Sequence, residues 1–336
     1  MSDKSYEAIK YWLLYVKNAL RLSDLTGDNY DSVMAKALSY ELSSGDYSYC
    51  AEMPLMGNAG IDLSVQYSAA DFFEGKHFLS AEMKDYDKLF SDYARVLAKD
   101  NQQILPFAML YLEADTFSGD DRNAGIFFNL SGTFVKPVLP KILRLQGLSD
   151  YEEKLFDVLD ISQEVLVPWQ FGFMYSRKDF SVRLACYLTK DGWYKLPKLM
   201  DKLGYEKFPK ADFDCLKELV VREDTGTLLN IDIMEDGSLG DVIGLEISSL
   251  PTRIYEQQRW MEGAAVQYMN GLLKKWDIAD ARVDMIRDCI FHVGFQKKDM
   301  QAFEVTSGFS HFKLRWKKGI RLPAKVYLQV KRDAGR

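Results

Sequence analysis

The chain has 336 residues, of which 47% are hydrophobic and 27% are charged, as is typical of globular proteins. Its formal net charge of −6 argues against a general nucleic-acid-binding protein, which would carry a basic surplus. No run of about 18 uncharged apolar residues is present, so we expect no membrane span.

Helical regions are indicated by apolar residues that recur on one face of a helix. The first shows this clearly, with Ile9, Trp12 and Val16 at helical spacing. The fourth region is predicted to hold two helices with a break near Pro209. The five predicted helical regions lie at about 9–20, 86–97, 151–159, 193–221 and 254–276, the last with a further segment to about 287.

Pairs of strands separate these helical regions, and each pair is joined by a polar turn such as Gly57-Asn58 or Asp236-Gly237. No linker rich in Pro, Gly or Ser divides the chain, so we expect residues 1–336 to form a single domain. The predicted pairs are 48–54 with 60–68, 104–113 with 123–131, 165–176 with 180–188, 226–234 with 241–249, and 308–317 with 323–331.

Side chains alternate between apolar and polar along most of these strands. In 61–67, for example, Leu63 and Val65 fall on one face, and Ser64 and Gln66 fall on the other. The helices offer apolar stripes to cover one face only. Ten strands with helices on one side favour closure, because an open sheet of that size exposes long edges.

The pattern therefore predicts an α+β fold. Five repeated α-β-β-α units would form one ten-stranded antiparallel barrel, with the helices outside and the last strands at about 308–331. The polar strand faces would then line a lumen wide enough to hold ligands.

The cysteines and histidines indicate which disulfide and metal sites can be expected. The cysteines lie far apart without a CxxC pair, so disulfides and a zinc site are not expected and a cytoplasmic location fits. The charged start of the chain lacks the apolar core of a signal peptide. His77 and His292 are interpreted as loop or helix residues. Nucleotide-binding, hydrolase and metalloprotease motifs are missing.

Repeated α-β-β-α units that close into such a barrel resemble the ABBA-fold aromatic prenyltransferases. The resemblance covers most of the chain in order and spacing. Its best local match is GIDLSVQYS (60–68), which is similar to a family strand of the type LDFSIS whose aspartate is associated with Mg²⁺ and diphosphate. The other matching segments are ILPFAMLYLEAD (104–115), NAGIFFNLSG (123–132), SVRLACYL (181–188) and AKVYLQV (324–330).

The resemblance implies roles for particular residues. Asp62 would be a Mg²⁺ ligand, which makes Mg²⁺ the implied cofactor. In SVRLACYL, Arg183 and Tyr187 would be the basic residue and the tyrosine that face the lumen, and Lys325-x-Tyr327 would be a second such pair. The chain departs from the family at Asn123 and Gly125, where family members carry a diphosphate-binding Lys and a shielding Tyr.

In a closed barrel, basic and acidic side chains would both face the lumen. Cations on rigid strands would stabilise the charge that grows on a departing diphosphate. Tyrosine rings would cover the carbocation, and a carboxylate, Glu52 or Glu246, would orient or deprotonate an aromatic nucleophile. The predicted diphosphate-binding residues are Arg183, Lys313, Arg315 and Lys325, and the predicted shielding residues are Tyr111, Tyr187 and Tyr327. The alternative is that acids and bases, including His311 and Asp232, form structural ion pairs across the lumen.

These residues lead to three functional hypotheses. The first is a transferase that moves a prenyl group from an isoprenoid diphosphate to an aromatic small molecule or peptide side chain. The second is a non-catalytic barrel that binds a peptide or another ligand. The third is a tailoring enzyme for a ribosomal peptide, because fold alone does not decide function.

Overall fold

A computed structural model describes residues 6–40, 47–75, 79, 83–101, 103, 105, 108–114, 124–129, 132–177, 179–189, 191–205, 208–223, 226–248, 253–295 and 303–334. A π-helical turn at Tyr15–Ala19 continues the first helix, and short 3₁₀ helices occupy Ser149–Tyr151 and Ile286–Cys289. The α-helices are α1 (Tyr6–Leu14), α2 (Ser23–Thr26), α3 (Tyr30–Ser39), α4 (Ala69–Phe73), α5 (Lys84–Asn101), α6 (Gly132–Leu145), α7 (Glu152–Ser162), α8 (Gly192–Lys202), α9 (Lys210–Glu223), α10 (Ile254–Glu262), α11 (Ala264–Lys275) and α12 (Arg282–Met285).

The strands of the described residues belong to one antiparallel sheet, in which β1 to β8 follow one another in chain order. After β8 comes β10, then β11, and β11 also pairs with β1, so ten strands close into a barrel as predicted. The strands are β1 (Tyr47–Pro54), β2 (Asp62–Ser68), β3 (Met109–Ala114), β4 (Gly125–Asn129), β5 (Leu166–Phe173), β6 (Ser181–Leu188), β7 (Gly226–Met234), β8 (Val242–Ser248), β9 (Phe291–Phe295), β10 (Phe303–Lys317) and β11 (Ile320–Ala334).

Strand β9 lies outside the ring and was not expected from the sequence. It pairs with the first residues of β10, whose later residues pair with β8 inside the barrel. As a result β10 and β11 are each 15 residues long and extend beyond the predicted 308–317 and 323–331. The interpretation of His292 was therefore wrong, because this residue lies on β9, where its Nδ1 is 2.7 Å from the Thr306 hydroxyl. His77 lies outside the described residues.

Helices precede each hairpin along the chain and cover the outer face of the barrel. The fifth predicted region is interrupted at Gly263, whose extended backbone separates α10 from α11. On the outer face, Trp12 of α1 is fully buried, and its indole N–H donates to the Ser307 hydroxyl of β10 at 2.8 Å. No helix in the described ranges is both long and apolar enough to cross a membrane.

Along β2 the side chains alternate between the two faces as predicted. Leu63, Val65 and Tyr67 point outward and are fully buried under helices, where each large side chain contributes about 1.5–3 kcal/mol. The Phe72 and Phe90 rings pack edge-on 5.2 Å apart in the same layer. The core therefore lies between the helices and the barrel wall, and the inner face is left for polar groups.

Candidate active site

The lumen contains two adjoining cavities. One, of about 300 Å³, lies at the end of the barrel that carries the hairpin turns, and its charged side chains lead us to name it the charged chamber. The other, of about 260 Å³, extends toward the end where strands meet helices, and we name it the aromatic chamber. Glu113, Asn230 and Lys313 line both cavities and therefore mark their junction. Each volume is close to the lower limit of ordinary ligand sites.

In the charged chamber, cations and acids come from most of the strand pairs. Neighbouring strands bring together side chains that are up to 273 positions apart in sequence, as for Glu52 and Lys325. Its charged lining residues are Glu52, Asp62, Glu113, Arg177, Arg183, Lys313, Arg315 and Lys325.

Arg183 on β6 forms a two-pronged ion pair with Asp232, its register partner on β7. Its Nε lies 2.7 Å from Oδ1 and its Nη2 lies 2.9 Å from Oδ2. Arg177, in the β5–β6 turn, donates to the same Oδ2 at 2.9 Å. Burial acts to raise the pKa of Asp232, but the two guanidinium groups outweigh it and lower that pKa to about 2.

Lys313 on β10 is paired with Glu246, its register partner on β8. The Lys313 ammonium lies 2.9 Å from Glu246 Oε1, which also accepts from the Asn230 amide at 2.9 Å. His311 Nε2 is 3.6 Å from the other oxygen of the carboxylate. Burial opposes ionisation of Glu246, yet Lys313 and His311 lower its pKa to about 2.

Glu52 on β1 accepts hydrogen bonds from both Lys325 and Tyr327 of β11. Burial acts to raise the pKa of Glu52, but the Lys325 ammonium outweighs this effect and lowers it. Asp62 on β2 is the register partner of Glu52, and its Oδ2 lies 4.0 Å from the Lys325 ammonium. Lys325 therefore contacts one carboxylate and faces a second.

Arg315 differs from these cations because no carboxylate of the described residues pairs with it. Its Nη2 donates to the Pro323 carbonyl at 3.3 Å, and its buried Nε has no hydrogen-bond partner there. Burial lowers the pKa of Arg315, but an arginine stays protonated at neutral pH. An unpartnered guanidinium N–H beside a cavity is a ready donor for an anionic ligand.

Asp62 could contribute to a Mg²⁺ site because its carboxylate lines the charged chamber, and carboxylate oxygens suit this cation. The described residues contain no group of three or more Asp, Glu, His or Cys side chains that could hold a metal ion. A single carboxylate of this kind would hold Mg²⁺ only together with water and substrate phosphates as its other ligands.

The aromatic chamber is lined by Tyr111, Phe127, Trp169 and Tyr187. The Trp169 and Tyr187 rings lie 5.0 Å apart at 57°, so their faces form an angled wall. Burial raises the pKa of Tyr111 to about 12, so its hydroxyl remains a hydrogen-bond donor at neutral pH. Aromatic faces of this kind attract both flat ligands and cations.

Tyr327 lines the aromatic chamber, its hydroxyl donates to Glu52 of the charged chamber, and its ring has aromatic and cationic neighbours. His311 stacks on it with centroids 4.1 Å apart and planes 19° apart. The Lys313 ammonium lies 5.5 Å from the Tyr327 ring centroid. At least one face of this ring is therefore covered by another side chain.

Nearly all of the site residues named from the sequence line the lumen. The structure brings together Glu52, Asp62, Arg183, Lys313, Arg315 and Lys325 in the charged chamber, and Tyr111, Tyr187, Tyr327 and Glu246 in the aromatic chamber. Asp232 lies beside the charged chamber and forms an ion pair with Arg183. Their roles in catalysis remain predictions.

Sequence reasoning missed Glu113, Arg177 and Trp169. For Glu113 the signal was present: in MLYLEA the apolar Leu110 and Leu112 alternate with Tyr111 and Glu113, which must share the lumen face. Arg177 lies in a turn, where side chains do not alternate between two faces, so its direction could not be predicted from the sequence. Trp169 sits at an irregularity of β5 between Pro168 and Gln170, which disturbs the alternation.

At the departure from the family pattern, Gly125 begins β4 and is the register partner of Glu113. A methyl group built on Gly125 would lie 3.5 Å from the Phe127 ring and 3.6 Å from Glu113 Cβ, so it would be in van der Waals contact with both side chains. Asn123 lies outside the described residues.

Comparison with solved structures reveals several similar folds. The apo form of prenyltransferase PriB has a TM-score of 0.51 and 12% sequence identity, and the match covers 97% of this chain and 95% of PriB. NotF, in complex with brevianamide F and DMSPP, has a TM-score of 0.53 and 8% identity over 99% and 93% of the two chains. AnaPT from Neosartorya fischeri has a TM-score of 0.53 and 9% identity over 98% and 94%.

No protein-family model and no curated protein sequence matches the chain. At these identities, similarity to the solved structures establishes the fold. The ten-stranded closure, the outer helices and the full-length structural matches agree with the resemblance drawn from the sequence. The chain has the ABBA barrel fold of the aromatic prenyltransferases.

Proposed function

We propose that this barrel transfers a prenyl group from an isoprenoid diphosphate to an aromatic acceptor inside the lumen. One observation carries the proposal: a chamber that contains Arg315, which has no carboxylate partner among the described residues, adjoins a chamber walled by aromatic rings. The structural similarity to NotF in complex with brevianamide F and DMSPP supports the same reading.

The diphosphate would bind in the charged chamber, with Arg315 as its first contact. As the C–O bond to the prenyl group breaks, negative charge grows on the diphosphate, and fixed cations stabilise it without reorganising. Lys313, Lys325 and Arg183 already have carboxylate partners, so they would contribute long-range attraction and further hydrogen bonds. Mg²⁺ on Asp62 would neutralise part of the diphosphate charge when bound.

The prenyl cation would then face the rings of Tyr111, Phe127, Trp169 and Tyr187, which exclude water and stabilise positive charge. The aromatic acceptor would stack in the same chamber. Glu52 and Glu246 are held by cations and have lowered pKa values, which makes them weak bases. We propose that they position Lys325 and Lys313.

Binding of dimethylallyl thiodiphosphate, measured by calorimetry, tests this proposal. We expect the Arg315→Gln variant to bind it roughly 10- to 100-fold more weakly, because hydrogen bonds to charged groups contribute about 1.5–3 kcal/mol. The matched control is Arg259→Gln on the exposed surface of α10, which should bind as the wild type does. If the wild type fails to bind the thiodiphosphate, the proposal is wrong.

A second candidate is a barrel that binds or modifies a peptide. It is favoured by the balance of charges, since four lumen cations of the described residues already have carboxylate partners. It is also favoured by Gln66, Gln170 and Gln329, whose amides line the aromatic chamber and match the hydrogen bonding of a peptide backbone. Peptide binding that does not depend on diphosphate would support this candidate.

A further inference from the structure

One edge of strand β10 is shared by two strands. β9 pairs with Phe303–Ser307, β8 pairs with His311–Lys317, and β11 runs along the whole of the other edge. On the shared edge, no strand of the described residues pairs with the three residues 308–310. This seam leaves backbone N–H and C=O groups in the barrel wall that need other partners.

The side chain of Gln257, on α10, fills the seam. Its Oε1 accepts from the Phe309 N–H at 2.9 Å, and its Nε2 donates to the Phe309 carbonyl at 3.2 Å. The amide of one glutamine thus supplies the acceptor and the donor that a neighbouring strand would supply. Gln257 is only 7% exposed, and a methyl group on Gly308 would lie 3.1 Å from its Oε1. The amide therefore fits closely against the backbone of β10.

A β-bulge lies at the same place. Phe309 pairs with Leu328 of β11, and the preceding residue of β11, Tyr327, pairs not with Ser310 but with His311. Ser310 is therefore an extra residue, and the outward face of β10 changes from odd to even positions. The buried, outward-facing residues are Val305, Ser307 and Phe309 before the bulge and Phe312, Leu314 and Trp316 after it. As a result, two consecutive residues, Ser310 and His311, both line the aromatic chamber.

The bulge fixes the place of His311 among the groups of the lumen. The His311 ring stacks on Tyr327, its Nδ1 lies 3.0 Å from the Ser310 hydroxyl, and its Nε2 lies 3.6 Å from Glu246. Tyr327 in turn donates to Glu52. A shift of the bulge would therefore move a wall of the aromatic chamber and two side chains that contact carboxylates.

We propose that Gln257 is a positioning residue for the aromatic chamber. From outside the barrel it holds the bulge that turns Ser310 and His311 inward. The Trp260 ring packs on Phe309 with centroids 5.3 Å apart, so a second side chain of α10 contacts the bulge. The effect of Gln257 on catalysis rests on the proposed prenyl transfer, whereas its effect on the position of His311 does not.

The first test observes His311 by NMR and needs no ligand. The chain has three histidines, so the signal that is lost in His311→Asn assigns the His311 ring. In the wild type, the face of Tyr327 should displace this signal upfield. Gln257→Leu should move it toward that of an unstacked histidine, because the Phe309 backbone loses both partners. An unchanged His311 signal in folded Gln257→Leu would overturn the proposal.

Trp12→Phe is the matched control. Like Gln257, Trp12 joins an outer helix to β10 through a buried hydrogen bond, which it donates to the Ser307 hydroxyl. Its replacement should lower Tm and leave the His311 signal in place. A His311 signal that moves equally in Trp12→Phe and Gln257→Leu would refute a specific role of Gln257.

Gln257→Glu keeps the shape of the side chain and serves where the leucine variant does not fold. Protonated at about pH 5, the buried carboxyl offers a C=O and an O–H in place of the amide; ionised at about pH 9, it repels the Phe309 carbonyl. We expect the His311 signal to match that of the wild type at the lower pH and to differ from it at the higher pH. Agreement with the wild type at both pH values would contradict the proposal.

Turnover with dimethylallyl diphosphate, and with indole as a probe acceptor, tests the consequence for catalysis. A displacement of about 1 Å can slow a reaction by a factor of about 10², so kcat/KM should fall about 10- to 100-fold in Gln257→Leu and change little in Trp12→Phe. Wild-type turnover in Gln257→Leu, with His311 displaced, would refute the role in catalysis and leave the proposed transfer standing. Absence of turnover in the wild type, with His311 still dependent on Gln257, would refute the transfer and support the positioning of His311 by Gln257.

Discussion

Replacing Asp232 with Asn tests whether the buried ion pair with Arg183 holds the charged chamber together. The side chains of both partners are only 6% exposed, and the carboxylate accepts from Arg183 through both oxygens. Asparagine keeps the shape but removes the charge, so Arg183 is left buried without an anion. Losing one partner of such a pair destabilises a protein by about 3–5 kcal/mol.

The expected size of the effect follows from the chain length. Unfolding entropy of about 2.1 cal/mol/K per residue gives about 0.7 kcal/mol/K for this chain, so a loss of 3–5 kcal/mol lowers Tm by about 4–7 °C. Differential scanning calorimetry measures this shift directly. Because the variant leaves Arg183 and Arg177 without their anion, added inorganic diphosphate should raise its Tm by more than it raises that of the wild type.

The control is a surface ion pair of similar length. Asp241 lies 3.0 Å from the Lys318 ammonium, but the two side chains are 50% and 62% exposed. Water and ions screen such a pair, so Asp241→Asn should change stability by less than about 1 kcal/mol. Equal Tm shifts in Asp232→Asn and Asp241→Asn would refute the reasoning, since burial is the main difference between the pairs.

Two further predictions concern acid stability and a close backbone approach. The pKa values of Asp232 and Glu246 are about 2 in the folded protein, below the ordinary values of 3.8 and 4.5. Each ionised carboxylate should therefore add about 2–3 kcal/mol to the free energy of unfolding above pH 5, and this contribution should be lost as pH falls toward 2. Urea unfolding at several pH values measures the loss. A free energy of unfolding that stays constant below pH 5 would contradict this prediction. At Gly27, where φ is +65°, a methyl group would lie 2.4 Å from the Ala59 carbonyl oxygen, so Gly27→Ala should unfold at a markedly lower urea concentration than the wild type. Gly57 also has positive φ but open space around it, so Gly57→Ala should be milder, and equal midpoints would exclude the steric argument.

The barrel could be predicted from sequence because strand alternation is a local property. The alternation of apolar and polar residues such as Leu63 and Ser64 shows which face of the strand each occupies, without knowledge of any partner strand. Ten strands with one apolar and one polar face favour closure into a barrel, because an open sheet would expose its edges. Helix α6 was not expected, since Pro137 and Pro140 lie within it and disfavour helix in local patterns. Strand β9 is only five residues long and draws its stability from pairing with β10.

For the candidate site, the sequence supplied most lumen residues, but it did not supply their pairing. Alternation placed Lys313, Arg315 and Lys325 on inner faces as a set of equivalent cations. Which of them meets a carboxylate depends on strand register, and register is set by the packing of the whole sheet. The structure pairs Lys313 with Glu246 and Lys325 with Glu52, and it leaves Arg315 without a carboxylate among the described residues.

The sequence by itself determined which side of each strand is polar, and through that the closed barrel and its polar lumen. Tertiary structure alone decided that, among the described residues, Glu113 makes no hydrogen bond or ion pair and Arg315 has no carboxylate partner. The physical reason is that the face of a strand residue depends on its immediate neighbours in the chain. Whether a buried charge is already neutralised depends on residues far away in sequence, brought within about 3 Å by the register of neighbouring strands.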